Sequence, residues 1–483
     1  MKKIIFLFAL LTAIISSSFA QNNEKQIFDG EPKALPVYAE PDLQHFGRAI
    51  LEVTIMHIGL NFYNRVIDGT PYGQISLDSM YNNLTTAWVW DNDEFYINQL
   101  LHPYQGSMYF IAGRSNGLNF WQSMIPTMYG VITWEYLMEC EIQSINDLII
   151  TNLSGIYVGE MLHRTYQATE DVFLPLAIVI SPVDAVTRFV SGQRSPRVSG
   201  SVSGLSAFGG YSFVLANQFS EGNPDYNFCN YPNTNYPDVR KYNKSSNIYF
   251  GLDYSYGNLY GHTTKEPLDA FDLNFAMIVK PGYFMYSILS DGLFLSKALN
   301  TKCDTTLGLT YNFDYIMASD LNYNNNSIGV SIAQKYYFNE EQTRTLNWDS
   351  CLAFSVDGAS EFYYLHSIYK RESDDGQEQR LYDLGFGPNL KFDFKFNDPA
   401  FGKFYANGFA SWFVTPSFTE TADGVTGSNL VLMTQVGYEH KVYENWSLGI
   451  NELLYYKHGF YDGIDDITHK MSHTNVYVKY CIK

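Results

Sequence analysis

From about residue 245 onward, apolar and polar side chains alternate with a period of two. Ile248, Phe250, Leu252, Tyr254 and Tyr256 share one face of an extended segment. Tyr249, Gly251, Asp253, Ser255 and Gly257 share the other. Leu307, Leu309, Tyr311, Phe313 and Tyr315 alternate with Gly308, Thr310, Asn312 and Asp314. Leu390, Phe392, Phe394 and Phe396 alternate with Asn389, Lys391, Asp393 and Lys395. Val476, Val478, Tyr480 and Ile482 alternate with Asn475, Tyr477, Lys479 and Cys481. In an extended chain such a pattern places one face in an apolar medium and the other in a polar one.

Residues 45–190 follow a longer, helical period. The run 49–62 is short for a span and fits a buried or interfacial helix. The stretch 121–138 is apolar but interrupted by Pro126 and Gly130. Residues 146–164 form the clearest helix, with Ser144 as cap and Asp147 completing a capping box. Pro175 and Pro182 limit 172–180 to a short element. Between the two halves, 191–244 is rich in Gly, Ser, Asn and Pro. It reads as a connection with possible first strands, such as 211–216, and a long loop from 221 to 244.

Two architectures satisfy the strand half. A soluble β-sandwich buries its apolar faces against each other. A transmembrane barrel turns them to lipid around a polar lumen. The segments are often ten residues or more, enough to cross a bilayer at a tilt. Tyr336, Tyr337 and Phe338, or Tyr455 and Tyr456, sit near strand ends as aromatic girdles do. The polar faces carry Gly, Ser, Asn and single charges, as a wet lumen does. About twelve such segments are present, an even number as bacterial barrels require. Closure leaves no unpaired backbone group at lipid depth. The predicted fold class is α+β: an α-helical domain over 45–190, then an antiparallel transmembrane β-barrel over 245–483.

Composition narrows the reading further. Of 483 residues, 17% are aromatic and 17% charged, and the formal charge is −19. Average globular chains carry about 25% charged residues. The acidic balance excludes nucleic acid as a partner. Apolar content of 46% excludes wholesale disorder. Lys2 and Lys3, an apolar run over 4–15 and Ser18-Phe19-Ala20 predict a Sec signal peptide over 1–20. A polar, proline-containing linker over 21–44 follows. Cys140, Cys229, Cys303, Cys351 and Cys481 are odd in number and have no CxxC spacing, so they read as free thiols. Outer-membrane barrels commonly end on an aromatic residue read by the assembly machinery; here Tyr480-Cys481-Ile482 precedes Lys483.

The helical half carries a spaced motif set. Trp88-Val89-Trp90-Asp91, Asn98, His102-Pro103-Tyr104-Gln105-Gly106-Ser107 and Tyr109-Phe110 come first. Ala112-Gly113-Arg114, Gly117-Leu118-Asn119-Phe120-Trp121, Trp134-Glu135, Ser144-Ile145-Asn146-Asp147-Leu148 and Gly159-Glu160 follow. This set resembles the DUF3943 family, found in secreted and outer-membrane proteins of Gram-negative bacteria, notably Bacteroidetes. The resemblance covers about 80 residues. It implies a helical region leading into a barrel, and supplies no activity and no catalytic residues.

Physically, Gly155 and Gly159 form a GxxxG step that lets another helix approach closely. Glu160 and Arg164 can pair at i,i+4. Asp91, Asp93, Arg114, Glu135, Glu139, Glu160 and Arg164 lie among apolar neighbours, and buried charge is costly unless paired. They are expected to form a compensated network. An enzymatic alternative makes His102 a general base oriented by Asp91 or Glu135, with Arg114 binding an anion on a lipid or lipopolysaccharide. Glu160 and His163 make an ExxH pair without the second such pair that a di-iron bundle needs. His366, His440, His458, His469 and His473 read as solvated residues near polar turns. P-loop, GxGxxG and GxSxG patterns do not occur as such. No cofactor or metal is expected. The expected protein is a Sec-exported outer-membrane barrel, with lipid and the barrel-assembly machinery as partners. Its helices are expected at the periplasmic mouth or partly in the lumen, as plug or assembly/transport element. The rivals are an outer-membrane lipid-modifying enzyme and a soluble periplasmic binding protein.

Overall fold

The computed structural model describes residues 43–90, 93–221, 246–280, 283–318, 321–361, 382–419, 426–462 and 466–483. The expected signal peptide, most of the linker, Asp91, Cys229, His366 and nearly all of the expected loop 221–244 lie outside them.

The helical region begins with α1 (Leu43–Phe62), which runs on through a π-helical turn (Tyr63–Asp68). Next comes α2 (Leu77–Thr85). A π-helical turn (Ile97–Leu101) then leads into α3 (His102–Ser115). The longer helices α4 (Phe120–Leu137) and α5 (Ile145–Thr169) follow, then the short α6 (Leu174–Ile180) and α7 (Pro182–Ser191). Ser144 caps α5 by accepting the Asp147 N–H at 3.2 Å. Helix α4 passes through Pro126 without a break, contrary to the expected interruption. The Asn119–Gln122 capping box starts it, and Thr127 Oγ1 bonds the Ser123 carbonyl at 2.8 Å just past the proline.

Twelve strands follow: β1 (Val202–Glu221), β2 (Ser246–Tyr256), β3 (Phe271–Lys280), β4 (Tyr283–Asn300), β5 (Asp304–Ala318), β6 (Asn322–Tyr337), β7 (Thr345–Glu361), β8 (Tyr382–Asp398), β9 (Gly402–Thr415), β10 (Gly427–Tyr443), β11 (Trp446–Tyr461) and β12 (Ile467–Cys481). Neighbours in sequence pair antiparallel, and β1 pairs with β12 to close the barrel. The barrel therefore starts at Val202, not near 245. The Gly/Ser composition of β1 suits its place at closure: a Cβ on Gly210 would fall 2.0 Å from the Val476 carbonyl oxygen.

Contacts between distant strands identify the lumen. Lys391 of β8 reaches Asp291 of β4 at 3.4 Å and Asp314 of β5 at 2.8 Å. Tyr323 of β6 stacks on Phe409 of β9, with ring centroids 4.3 Å apart. Such groups meet only through the interior. The opposite face of the same strands exposes apolar side chains around the barrel, among them Ile248, Val330, Leu352, Phe354, Ile450 and Val476. His469 and His473 are lumenal and buried, which corrects their reading as solvated. Both hold inward positions of β12, where His469 Nδ1 lies 3.2 Å from Glu361 and His473 Nδ1 3.2 Å from Ser212 Oγ. Of the expected girdle pair, Tyr455 likewise faces inward, bonding Glu361 at 3.0 Å.

The helices take a position different from the mouth or lumen. They lie on the outer wall. Ser154 of α5 bonds Tyr311 at 3.0 Å and Asn326 at 2.8 Å. Tyr157 bonds Ser290 at 2.8 Å, and Thr165 bonds Tyr254 at 3.2 Å. Before α3, Asn98 bonds the Tyr382 hydroxyl at 2.8 Å. All these strand residues have outward parity. Tyr254, Leu273, Ser290, Phe313 and Asn326 are paired in one continuous row across five strands. Helix α5 thus crosses the strands nearly at right angles, within their length. No residue of α5 is exposed, because the barrel covers one side and the other helices the rest.

Candidate functional site

Helices α3 and α5 cross at a point that admits only glycine. A Cβ on Gly106 would fall 1.8 Å from the Thr151 carbonyl oxygen, and one on Gly155 would fall 2.7 Å from Gly106 backbone. At Gly159 the added atom would meet Phe110 at 3.0 Å. Small residues bring the two backbones together, and the neighbouring polar groups then lie within bonding range.

Beside this crossing, Glu160 is held between two guanidinium groups. Its Oε2 is 2.8 Å from Arg114 Nε and its Oε1 is 2.8 Å from Arg164 Nε. The Glu160 and Arg164 side chains are both 0% exposed. Arg114 also donates to the Leu118 carbonyl at 2.9 Å. Arg164 reaches onward to the barrel. It donates to the carbonyls of Ser199 at 2.5 Å and Pro267 at 3.1 Å, and approaches Glu266 at 3.2 Å. Its guanidinium also stands 5.7 Å above the Tyr256 ring. Buried charge is tolerated here because each group has a charged partner and further hydrogen bonds. The receiving segment between β2 and β3 is itself braced, with His262 Nε2 2.7 Å from Asp269 and the Lys265 N–H 2.8 Å from it. Burial pushes the Asp269 carboxyl up, but these two bonds and the neighbouring Arg164 outweigh it and hold the group below its usual value.

The remaining predicted residues fall elsewhere. Glu135 accepts the Ser144 N–H at 2.8 Å, and Glu139 accepts Trp134 Nε1 at 2.9 Å. His102 stands 3.6 Å from Asp147 and 3.4 Å from Thr151. Arg114 is roughly 18 Å further along the same helix, at 1.5 Å per residue. His102, Arg114 and Glu135 therefore do not converge on one point. Asp91 lies outside the described residues. Glu160 and His163 face different partners, since His163 Nδ1 is 2.8 Å from Asp184.

Sequence reasoning placed Asp253, Lys391 and Lys479 on the polar faces but did not single them out as a paired cluster. Lys479 bridges Asp253 at 2.6 Å and Glu439 at 2.9 Å, and Lys403 joins Glu439 at 2.9 Å. With Lys391 and Asp291 they border a cavity of about 360 Å³, lined by strand residues, the β2–β3 segment and Lys483. Towards the opposite end the lumen is filled. Tyr323, Phe409 and Phe413 are buried there with Ile316, Leu321 and Val431. The available signal was single charges on the polar faces of β8 and β12.

The α3–α5 crossing and its buried ion network belong to one contiguous segment. Residues 87–173 match DUF3943, a domain of unknown function. Gly106, Gly155, Gly159, His102, Arg114, Glu135, Glu160 and Arg164 all lie within the DUF3943 segment, whereas Glu266 and Tyr256 lie in the barrel beyond it. No curated protein matches the chain. Among solved structures, the chain is similar to the outer membrane protein Omp33 of Acinetobacter baumannii: 11% identity, 58% of this chain and 98% of that one, TM-score 0.19. The CymD monoaromatic hydrocarbon channel shares 7% identity over 57% of this chain and 88% of its own, with a TM-score of 0.22. The outer membrane protease OmpT of Escherichia coli shares 8% identity over 59% and 98%, with a TM-score of 0.20.

Proposed function

We propose that this chain is an outer-membrane protein whose barrel spans the bilayer and holds the DUF3943 helices on its outer wall as an assembly or transport element. The observation that carries this is the division of the strand faces. Away from the helices, most outward positions carry apolar, exposed side chains. At the cavity end, inward positions carry charges that pair with one another across the interior, and at the other end they pack as an enclosed aromatic and aliphatic cluster. A soluble sheet exposing so many large apolar side chains would associate or precipitate, whereas hydrocarbon is the medium they suit.

The barrel on this reading is not a free-flowing pore. Tyr323, Phe409 and Phe413 with their neighbours obstruct one end of the lumen. The working surface is then the helical region. Export and folding through the barrel-assembly machinery go with the same reading. The lipid-enzyme alternative needs Arg114 beside His102 and Glu135, whereas Arg114 is committed to Glu160 and the Leu118 carbonyl.

Planar-bilayer conductance tests the proposal. The full chain is expected to conduct little. Phe409→Ala with Phe413→Ala is expected to raise conductance several-fold. Removal of 43–191 is expected to leave it nearly unchanged, because the helices stand outside the lumen. A large rise on helix removal alone, with the barrel still folded, would contradict the arrangement.

A further inference from the structure

We infer that the helical bundle is itself immersed in lipid, with hydrocarbon chains covering the face turned away from the barrel. The inference rests on the barrel reading above and goes beyond it, because a helical domain tethered to a barrel is ordinarily expected in water.

The first observation is an inverted distribution of polarity. Along α1, the exposed side chains include Leu51, Ile55, Ile58 and Phe62, spaced as one helical stripe. Along α4 they are Trp121, Ile125, Met128 and Ile132. Helix α7 exposes Val186, Phe189 at 88% and Val190. The polar groups of the same helices point inward. Glu52 receives a bond from Thr187 at 3.0 Å, Asn61 bonds the Met138 carbonyl at 3.0 Å, and Glu135 bonds Ser144. Water-facing helices carry charge outward; helices in lipid turn their polar groups into the bundle.

The second observation is length. Between the exposed Arg48 and Arg65, α1 and its π-helical extension present no exposed charged residue. At 1.5 Å per residue the two arginines are roughly 25 Å apart. That matches the apolar band of about 25 Å on outer-membrane barrels. The third is continuity. The bundle sits within the length of the strands. Next to its footprint on Tyr311 and Asn326, the outward residues Leu309, Ile328 and Val330 of the same strands are exposed and apolar. Among the described residues no single helix is long and apolar enough to cross a membrane; α6 and α7, bent by 117°, pass that test only as a pair. The bundle thus enters the lipid by leaning on the barrel, which supplies hydrogen-bond partners to polar groups such as Ser154 and Tyr157.

The test is nitroxide accessibility on the full chain in phosphatidylcholine vesicles, with the native cysteines replaced by serine. Labels go at Ile55, Ile125 and Val186, at Arg48, and at Ile450 as a barrel reference. The ratio of oxygen to nickel-chelate collisions is expected to be at least tenfold higher at Ile55, Ile125, Val186 and Ile450 than at Arg48. High nickel access at the helical sites with Ile450 shielded would overturn this inference alone. High nickel access at Ile450 as well would overturn the barrel reading too. Low access to both reagents at the helical sites would mean that protein, such as a second copy of this chain, covers the face, and that also overturns it. If the cysteine-free chain fails to fold, a photoactivatable carbene on a lipid acyl chain applies the test to the unaltered protein. Adducts in 43–62 and 120–137 support the inference and their absence opposes it.

Discussion

Glu160→Ala is expected to release the helical bundle from its compact state while the barrel survives. The substitution leaves Arg114 and Arg164 facing each other without the carboxylate that separates them. Breaking a buried ion pair by removing one partner costs about 3–5 kcal/mol. The cost exceeds that of an exposed pair, about 0–1 kcal/mol, because neither guanidinium can regain water while the bundle stays packed. Arg164 also anchors α5 to Ser199, Glu266 and Pro267, so its displacement loosens the junction with the barrel. Limited proteolysis of the full chain in detergent should show cleavage within 43–191 at protease levels that leave the parent intact. Glu160→Gln keeps the shape and two acceptor or donor positions and should lie between the two. Unchanged protease resistance in Glu160→Ala would show that the ion network contributes little.

Gly106→Val is the second large effect. The new Cβ would begin 1.8 Å from the Thr151 carbonyl oxygen, so α3 and α5 must separate. No rotamer relieves a clash between a Cβ and backbone. Overpacking of this kind costs about 3 kcal/mol, the upper part of its usual range. For Gly159→Ala the nearest atoms belong to Phe110 and the Ser107 carbonyl, near 3.0 Å, and the change should cost about 1 kcal/mol. Thermal unfolding followed by the far-ultraviolet helical signal separates the two. Equal midpoints for both variants would contradict a contact that tight.

Several features of this architecture were legible before the structure. The period-two segments around 307–315, 389–396 and 475–482 correspond to β5, β8 and β12 with the expected faces. The i,i+4 pair Glu160–Arg164 was visible for the same reason: local geometry fixes it. Contacts between distant parts of the chain were not visible. Arg114 lies 46 residues from Glu160, and Glu266 lies 102 from Arg164. Strand β1 was obscured because glycine and serine carry little hydrophobic pattern, though closure against β12 calls for small residues there. Tyr311, Phe313 and Tyr315 show why the position of the helices was hidden. Their alternation marks them as outward-facing, yet it cannot tell lipid from a helix as the covering medium. The same limit applied to His469 and His473, whose polarity suits water or a paired lumen equally well.

The most direct measurement is gel migration with and without boiling, on protein taken from the outer-membrane fraction. A closed barrel with its outer face in lipid should require detergent for release and resist sodium dodecyl sulfate at room temperature. It should then run as a distinct band that shifts on boiling. Release by salt alone, together with a single band before and after heating, would mean that the apolar strand faces do not meet hydrocarbon.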